Sequence, residues 1–171
     1  SNNALFLMHK NKLIIGNIDH MNTKIMLSLL LLLTCPFIHA KAPDLVGTWK
    51  TIDDKTGYAR AEVLITKQEN GAYRGTIIQV HAIPNRSAID HCEKCKGALK
   101  NAPLIGLPIL SGFKQNPKKT DEFIDGQVLD PLSGHVYQGK GRLNTRGNVL
   151  TLRGFIGTSL LGRTVSWIRV N

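Results

Sequence analysis

The stretch ARAEVLITKQENGAYRGTIIQV, residues 59–80, decides the fold. Ala61, Val63 and Ile65 fall on one face of an extended chain, and mainly polar side chains alternate with them on the other. A period of two is typical of a strand with one buried face, whereas a helix needs apolar residues every three or four positions. Asn70-Gly71 follows, and both residues accept the positive φ that tight hairpin turns require. The stretch therefore predicts two antiparallel strands joined by a hairpin.

The same signature recurs along the rest of the chain. Alternating runs bounded by turn residues predict strands at 47–52, 59–67, 73–82, 109–113, 123–129, 135–143, 149–156 and 164–170. We therefore predict an all-β fold, an eight-stranded antiparallel up-and-down barrel. Eight strands close a sheet without exposed edges, and the interior either fills with side chains or holds one small ligand. Glycines within the predicted strands indicate bends or bulges that let the sheet curl shut: Gly75, Gly126, Gly139, Gly141 and Gly154.

One predicted connection, 83–108, is far longer than a hairpin loop. Long loops in compact domains often serve as lids or binding loops. We therefore expect this segment to lie near any binding site of the barrel.

The N-terminal part of the chain has the composition of a targeting segment. Residues 21–40 combine a short basic region, an apolar run at 25–33 and the ending Ile38-His39-Ala40, which predicts a secretory signal peptide cleaved after position 40. The apolar run is about half of the roughly 20 residues that a membrane-spanning helix needs. Residues 1–20 precede the start methionine and are interpreted as upstream sequence. The predicted barrel domain is therefore 41–171, in an exported protein that is periplasmic or secreted.

An alternative interpretation makes Cys35 the acylated cysteine of a lipoprotein. Such cleavage sites favour a residue smaller than the threonine that precedes Cys35. Soluble export is therefore the favoured prediction over lipidation.

Two further cysteines, Cys92 and Cys95, lie in the long connection. An even pair in an exported chain suggests a disulfide. A zinc site with His91 and His81 is a second interpretation, although the adjacent His91 and Cys92 cannot easily bind one ion. A thioredoxin-like redox centre is a third, but the required strand–helix setting is missing. The disulfide is favoured, and we predict no metal ion and no cofactor.

The chain carries a formal net charge of +10. This balance favours acidic partners such as anionic lipids, envelope polymers or an acidic ligand, although scattered lysines and arginines also serve solubility alone. Nucleic acid is a poor candidate, because export separates the protein from it and no basic-aromatic stripe or recognition helix is visible.

Catalytic patterns are missing from the sequence. The histidines of the predicted domain are His81, His91 and His135, and no nucleophile elbow, zinc-protease motif or phosphate-binding loop accompanies them. The acidic pairs Asp53-Asp54 and Asp121-Glu122 sit at predicted strand ends, where solvated turn residues are common. We therefore predict a protein that is not an enzyme.

A family resemblance rests on motifs that occur in order: Gly47-Thr48-Trp49, Asp53-Asp54-Lys55-Thr56-Gly57, Cys92-Glu93-Lys94-Cys95, Gly126-Gln127-Val128-Leu129-Asp130-Pro131, Gly134-His135-Val136-Tyr137, and 152–157 continuing to Leu161-Gly162-Arg163-Thr164. Together they resemble the domain-of-unknown-function 2147 family of small exported bacterial proteins. The resemblance implies a lipocalin-like fold and brings no established activity. Gly47-x-Trp49 also resembles the lipocalin opening motif, whose tryptophan closes one barrel end beneath an arginine. Arg153 or Arg169 could play that part here.

The preferred functional hypothesis is a binding module for a small, mainly apolar ligand, with a fatty-acid-like anionic head as one possibility. Polar side chains that alternate with apolar neighbours are the candidate ligand-binding residues, together with one tryptophan: Asp125, Gln127, Tyr137, Arg153 and Trp167. The alternative is a cell-envelope interaction protein that acts through a basic outer surface. The sequence assigns no oligomeric state.

Overall fold

The computed structural model describes residues 43–85, 87–158 and 160–170. Its strands are β1 (Gly47–Ile52), β2 (Ala59–Lys67), β3 (Tyr73–Val80), β4 (His91–Cys92), β5 (Ala102–Pro103), β6 (Pro108–Asn116), β7 (Lys119–Asp130), β8 (His135–Leu143), β9 (Val149–Phe155) and β10 (Gly162–Arg169). One 3₁₀ helix spans Gly97–Leu99. No helix in these described ranges is long and apolar enough to cross a membrane. The predicted upstream segment 1–20 and signal peptide 21–40, including Cys35, lie outside the described residues.

Eight of the strands close into an antiparallel barrel in the order β1-β10-β9-β8-β7-β6-β3-β2. The predicted all-β fold and eight-stranded barrel are therefore confirmed. β4 and β5 pair with each other inside the long connection, where the sequence predicted only a loop. The β6–β7 hairpin is also longer than predicted, since Lys114 pairs with Ile124 and Gln115 with Phe123. Lys114, Lys119 and Thr120 are exposed there, and the half-buried Gln115 donates hydrogen bonds to the backbone oxygens of Pro43 and Thr120.

The up-and-down order gives the barrel two different ends. We call one the loop end, formed by the connections 53–58, 81–107, 131–134 and 156–161. We call the other the turn end, formed by the short turns 68–72, 117–118 and 144–148 together with the segment 43–46.

Large side chains fill the interior towards the turn end. The buried Phe113 ring faces Gly126 of β7 and its register partner Gly139 of β8. A Cβ atom at Gly126 would lie 2.1 Å from that ring, and one at Gly139 would lie 2.6 Å from it. Tyr73 and Phe123 pack edge to face beside it, with ring centroids 5.5 Å apart. These two glycines therefore make room for an aromatic core.

The turn end is closed by Trp49 and Arg169. The Arg169 guanidinium carbon lies 4.2 Å from the Trp49 ring centroid, and Trp49 itself is fully buried. Arg169 donates hydrogen bonds of 2.6 Å to the backbone oxygens of Asp44, Val46 and Gly147. Gly47 allows this approach, because its φ is +133° and a Cβ there would lie 2.8 Å from Arg169 Nη1.

Arg153, the other arginine considered for this position, lies elsewhere. It donates to Thr164 Oγ1 at 3.0 Å and to the Leu160 backbone oxygen at 3.1 Å, on the outer face of the β9–β10 pair. Of the two, Arg169 is therefore the residue that covers Trp49.

We predict that Arg169→Met lowers the free energy of unfolding by about 2–4 kcal/mol, because it leaves three backbone oxygens without their charged donor. Arg153→Met is the matched control. Its exposed hydrogen bonds predict a loss below about 1 kcal/mol. Urea unfolding followed by tryptophan fluorescence measures both, and similar losses for the two variants would contradict the assignment.

Candidate functional site

A cavity of about 260 Å³ opens at the loop end of the barrel. Its walls come from the inward-facing apolar side chains of six barrel strands: Ala61, Ile77, Val80, Ile109, Val128, Leu152, Val165 and Trp167. Ile83, Ile89 and Leu104 of the long connection add to the lining. The site is therefore an apolar cavity that the long connection partly covers. It begins where the buried aromatic side chains near the turn end finish.

Two predicted ligand-binding residues line this cavity. Tyr137 of β8 contributes to one wall, and the nearly buried Trp167 of β10 contributes to another. Each combines a large apolar surface with one polar atom, an O–H or an N–H, that can orient a ligand.

The other three predicted ligand-binding residues do not line the cavity. Asp125 and Gln127 are exposed on β7, and Arg153 bonds to outer-face partners. In β7 the register shifts between Phe123 and Gly126, and Asp125 has a φ of +60°. This bulge turns Gly126 and Val128 inward, so Asp125, just before Gly126, and Gln127, between the two, face solvent.

Two arginine–aspartate pairs stand at the mouth of the cavity. Arg60 Nε donates to Asp53 Oδ2 at 2.5 Å. Arg163 binds Asp54 through two hydrogen bonds, one of them from Nε to Oδ2 at 3.0 Å. The Arg60 guanidinium, with help from the Thr56 hydroxyl, holds the pKa of Asp53 well below its usual range.

In the second pair the pKa values of both partners are shifted in favour of their charged forms. Arg163 lowers the pKa of Asp54, and Asp54 in turn raises the pKa of Arg163. The two cations at the mouth are therefore already neutralised by carboxylates.

Sequence reasoning missed both arginines and treated the aspartates as solvated turn residues. The short separation of Arg60 from Asp53 was a usable signal, whereas Arg163 lies 109 residues from Asp54.

His81 also lines the cavity. Its Nε2 is buried without a hydrogen-bond partner, and within the described residues it is the only buried side-chain nitrogen or oxygen in that state. The nearest charged atom is Glu62 Oε1, at 3.7 Å. This nitrogen can therefore accept or donate a hydrogen bond only after a small movement of the ring.

A disulfide between Cys92 and Cys95 ties the long connection, with their Cα atoms 5.4 Å apart. This confirms the favoured interpretation and leaves neither thiol free for zinc. Among the described residues, no group of three or more His, Cys, Asp or Glu side chains could hold a metal ion. The tied loop packs on the β7–β8 turn, where a Cβ at Gly134 would lie 1.9 Å from the Lys94 backbone oxygen. Cys92 Sγ lies 3.5 Å from the Pro131 backbone oxygen.

A closed eight-stranded antiparallel barrel, covered at one end by Trp49 and Arg169 and hollow at the other, defines the class of lipocalin-like β-barrels. Residues 47–169 match the family described as "Uncharacterized protein conserved in bacteria (DUF2147)", and the chain belongs to that family. This bears out the resemblance seen in its motifs.

A solved structure with the same fold is that of protein HP1028 from the human pathogen Helicobacter pylori, which is described as belonging to the lipocalin family. The two structures align with a TM-score of 0.61 and 18% sequence identity, over 75% of this chain and 84% of that chain. At this identity the likeness concerns the fold alone. A comparison with curated proteins finds no match.

We predict that Arg60→Met raises the pKa of Asp53 towards the ordinary value of about 3.9. A carboxyl whose pKa is lowered by folding stabilises the fold above its unfolded pKa, and this contribution is lost as the pH falls through the folded pKa. The variant should therefore lose less stability than the parent between about pH 4 and pH 2. A ¹³C titration of the Asp53 carboxyl measures the shift, and Arg163→Met should leave that pKa unchanged. An unmoved Asp53 in the Arg60 variant would refute the pairing.

We further predict that Gly134→Ala destabilises the protein by about 1–3 kcal/mol more than Gly157→Ala. Both glycines have a positive φ, so both substitutions carry a similar backbone strain. Only at Gly134 does the added Cβ meet the Lys94 backbone, whereas nothing lies within 4 Å of a Cβ at Gly157. Urea unfolding gives the difference, and tryptic cleavage after Lys94 should become faster in the first variant alone. Equal behaviour would show that the turn does not anchor the connection.

Proposed function

We propose that this protein is an exported, non-catalytic carrier that binds one small, mainly apolar molecule in the loop-end cavity. The observation that carries the proposal is the cavity itself, about 260 Å³ in volume with apolar walls. Pockets for drug-sized ligands run from about 300 to 1,000 Å³, so a compact ligand fits this one. The Cys92–Cys95 disulfide is compatible with the export that the predicted signal peptide at 21–40 implies.

The charges at the mouth define the polar part of the ligand. An acidic head group there would compete with Asp53 for Arg60 and with Asp54 for Arg163. A buried carboxylate without its own cation is costly, so the geometry favours a neutral polar group over the anionic head suggested by the net charge. Tyr137 and Trp167 can meet such a group with one hydrogen bond each.

The proposed role is binding rather than catalysis, and the arrangement of charges supports this. Each aspartate at the mouth accepts hydrogen bonds from an arginine and is held ionised, which suits a fixed structural pair better than a general acid. The walls of the cavity consist mainly of apolar side chains, which can bury an apolar ligand but cannot act as acids, bases or nucleophiles.

The fluorescence of Trp167 tests the proposal. The chain has two tryptophans, and only Trp167 lines the cavity, while Trp49 is buried at the turn end. N-phenyl-1-naphthylamine, a neutral apolar probe, should quench Trp167 by energy transfer. Trp167→Phe should retain part of that quenching, because Trp49 lies on the neighbouring strand, two residues from Thr51, which pairs with Trp167. No quenching in the parent protein would contradict binding inside the barrel. Its anionic relative 8-anilino-1-naphthalenesulfonate should bind more weakly, and tighter binding of the anion would contradict a neutral head group.

We predict that Val165→Phe weakens binding of the neutral probe by about tenfold or more, equivalent to roughly 1.4 kcal/mol, because the larger ring occupies the cavity. Ile168→Phe is the matched control on the same strand, since Ile168 is exposed on the outer face. It should change the affinity less than about twofold. Probe affinity that is indifferent to both substitutions would place the site outside the barrel.

The dependence of binding on salt concentration distinguishes ligand binding in the cavity from the alternative, an interaction through a basic outer surface. Binding inside the cavity should be nearly unchanged as salt rises past about 0.15 M, where the Debye length is about 8 Å. A steep loss of probe binding over the same range would favour the surface interpretation.

A further inference from the structure

The exposed apolar side chains of this protein are concentrated at one end. Among the described residues, the large apolar side chains that are more than half exposed are Tyr58, Ile105, Val136, Ile156, Leu160 and Leu161. Five of them belong to three connections of the loop end, and Val136 is the second residue of β8, just after the fourth connection. We call this set the apolar rim. Leu160 and Leu161 are the most exposed, at 87% and 83%.

The turn end has a different character. Its turns consist largely of polar and charged residues, such as 68–70 and 144–146. Among the described residues, Val46 is the exposed large apolar side chain of these segments, and Leu64 and Ile168 lie on the strands nearby; all three are less than half exposed. Apolar side chains scattered singly need no explanation, but a set gathered around one opening indicates an interaction surface.

Lysines accompany the rim. Lys94, Lys96 and Lys100 are exposed on the long connection, and none of them makes an ion pair with a described residue. Glu93 is the single acidic residue in the run 93–100. This contrasts with the mouth, where Arg60 and Arg163 are each bound to an aspartate. With three lysines and one glutamate, the run 93–100 carries a net charge of +2.

We propose that the loop end docks on the surface of an anionic lipid membrane. The rim residues come from three separate connections and the start of β8, around one opening, and a fluid lipid surface can accommodate such separated side chains. Inserted leucine and isoleucine side chains gain free energy in proportion to the apolar area that leaves water. The three lysines would then lie near anionic headgroups, which attract basic segments. Docking in this way places the mouth of the cavity against the acyl chains.

Vesicle binding tests the proposal with two matched pairs of variants. The protein is mixed with vesicles of phosphatidylcholine and phosphatidylglycerol at about seven to three, or of phosphatidylcholine alone. Leu160→Ser with Leu161→Ser should lower binding to the anionic vesicles by about tenfold or more. Val46→Ser with Ile168→Ser, at the turn end, should change it less than about twofold. Every variant carries the same N-terminal residues, so their contribution cancels.

The lysines are tested separately. Lys94→Gln, Lys96→Gln and Lys100→Gln together should lower binding to anionic vesicles by about 10- to 100-fold, with little effect on neutral ones. The control changes Lys114, Lys118 and Arg146 to Gln, because these residues lie towards the turn end. Equal losses for the two sets would show non-specific attraction and overturn the proposal.

The position of the contact can be read directly. Leu161→Trp should shift its emission to shorter wavelength when anionic vesicles are added, whereas Ile168→Trp should not. If the emission instead shifts as the protein concentration rises in the absence of lipid, and the protein sediments as a dimer, then a second copy covers the rim. That result would overturn membrane docking. The outcome is independent of the cavity, since the rim variants should still bind N-phenyl-1-naphthylamine.

Discussion

The contact of Arg169 with Trp49 joins parts of the chain that are far apart in sequence. The same guanidinium covers the ring of β1, binds the backbone oxygens of the segment before β1, and reaches the β8–β9 turn at Gly147. Backbone oxygens at a closed barrel end have no strand partner and need a donor when they leave water. A single charged side chain supplies that donor three times. The backbone pairing of β1 with β10 closes the barrel, and Arg169 holds the chain segments at the end of that pairing together.

Closure at this end determines where free volume remains. Phe113, Phe123 and Tyr73 occupy the interior near the turn end, and Phe113 fits because two facing glycines lack Cβ atoms. Interiors pack to a density that leaves few voids, so a cavity of about 260 Å³ needs a place where the large side chains end. That place is the part of the barrel towards the loop end, where Val128, Leu152 and Val165 line the cavity. The glycines predicted from sequence to bend the sheet thus have a second role in packing.

The eight strands could be predicted because their signals are local. Alternation and turn residues such as Asn70-Gly71 determine a strand within its own hairpin, and the barrel follows from their number. The direction of side chains after a bulge could not be predicted, since the bulge at Asp125 depends on how β7 pairs with β8. Tyr137 and Trp167 were predicted as ligand-binding residues, and they line the cavity because the pairings of their strands with β9 keep a regular alternation. Arg163 was missed because its partner Asp54 is brought near only by the closed barrel.

Charge acts differently inside and outside the mouth. The arginines that line the cavity are bound to aspartates, so the net charge of +10 says little about the ligand. The lysines of the long connection have no such partners among the described residues, so their positive electrostatic potential extends into the solvent. An apolar molecule that leaves the cavity for water loses the free energy of its burial. In the proposed membrane-docked state the molecule would pass between cavity and acyl chains without that loss. The paired charges of the mouth and the unpaired lysines of the long connection would then have separate roles in the proposed function.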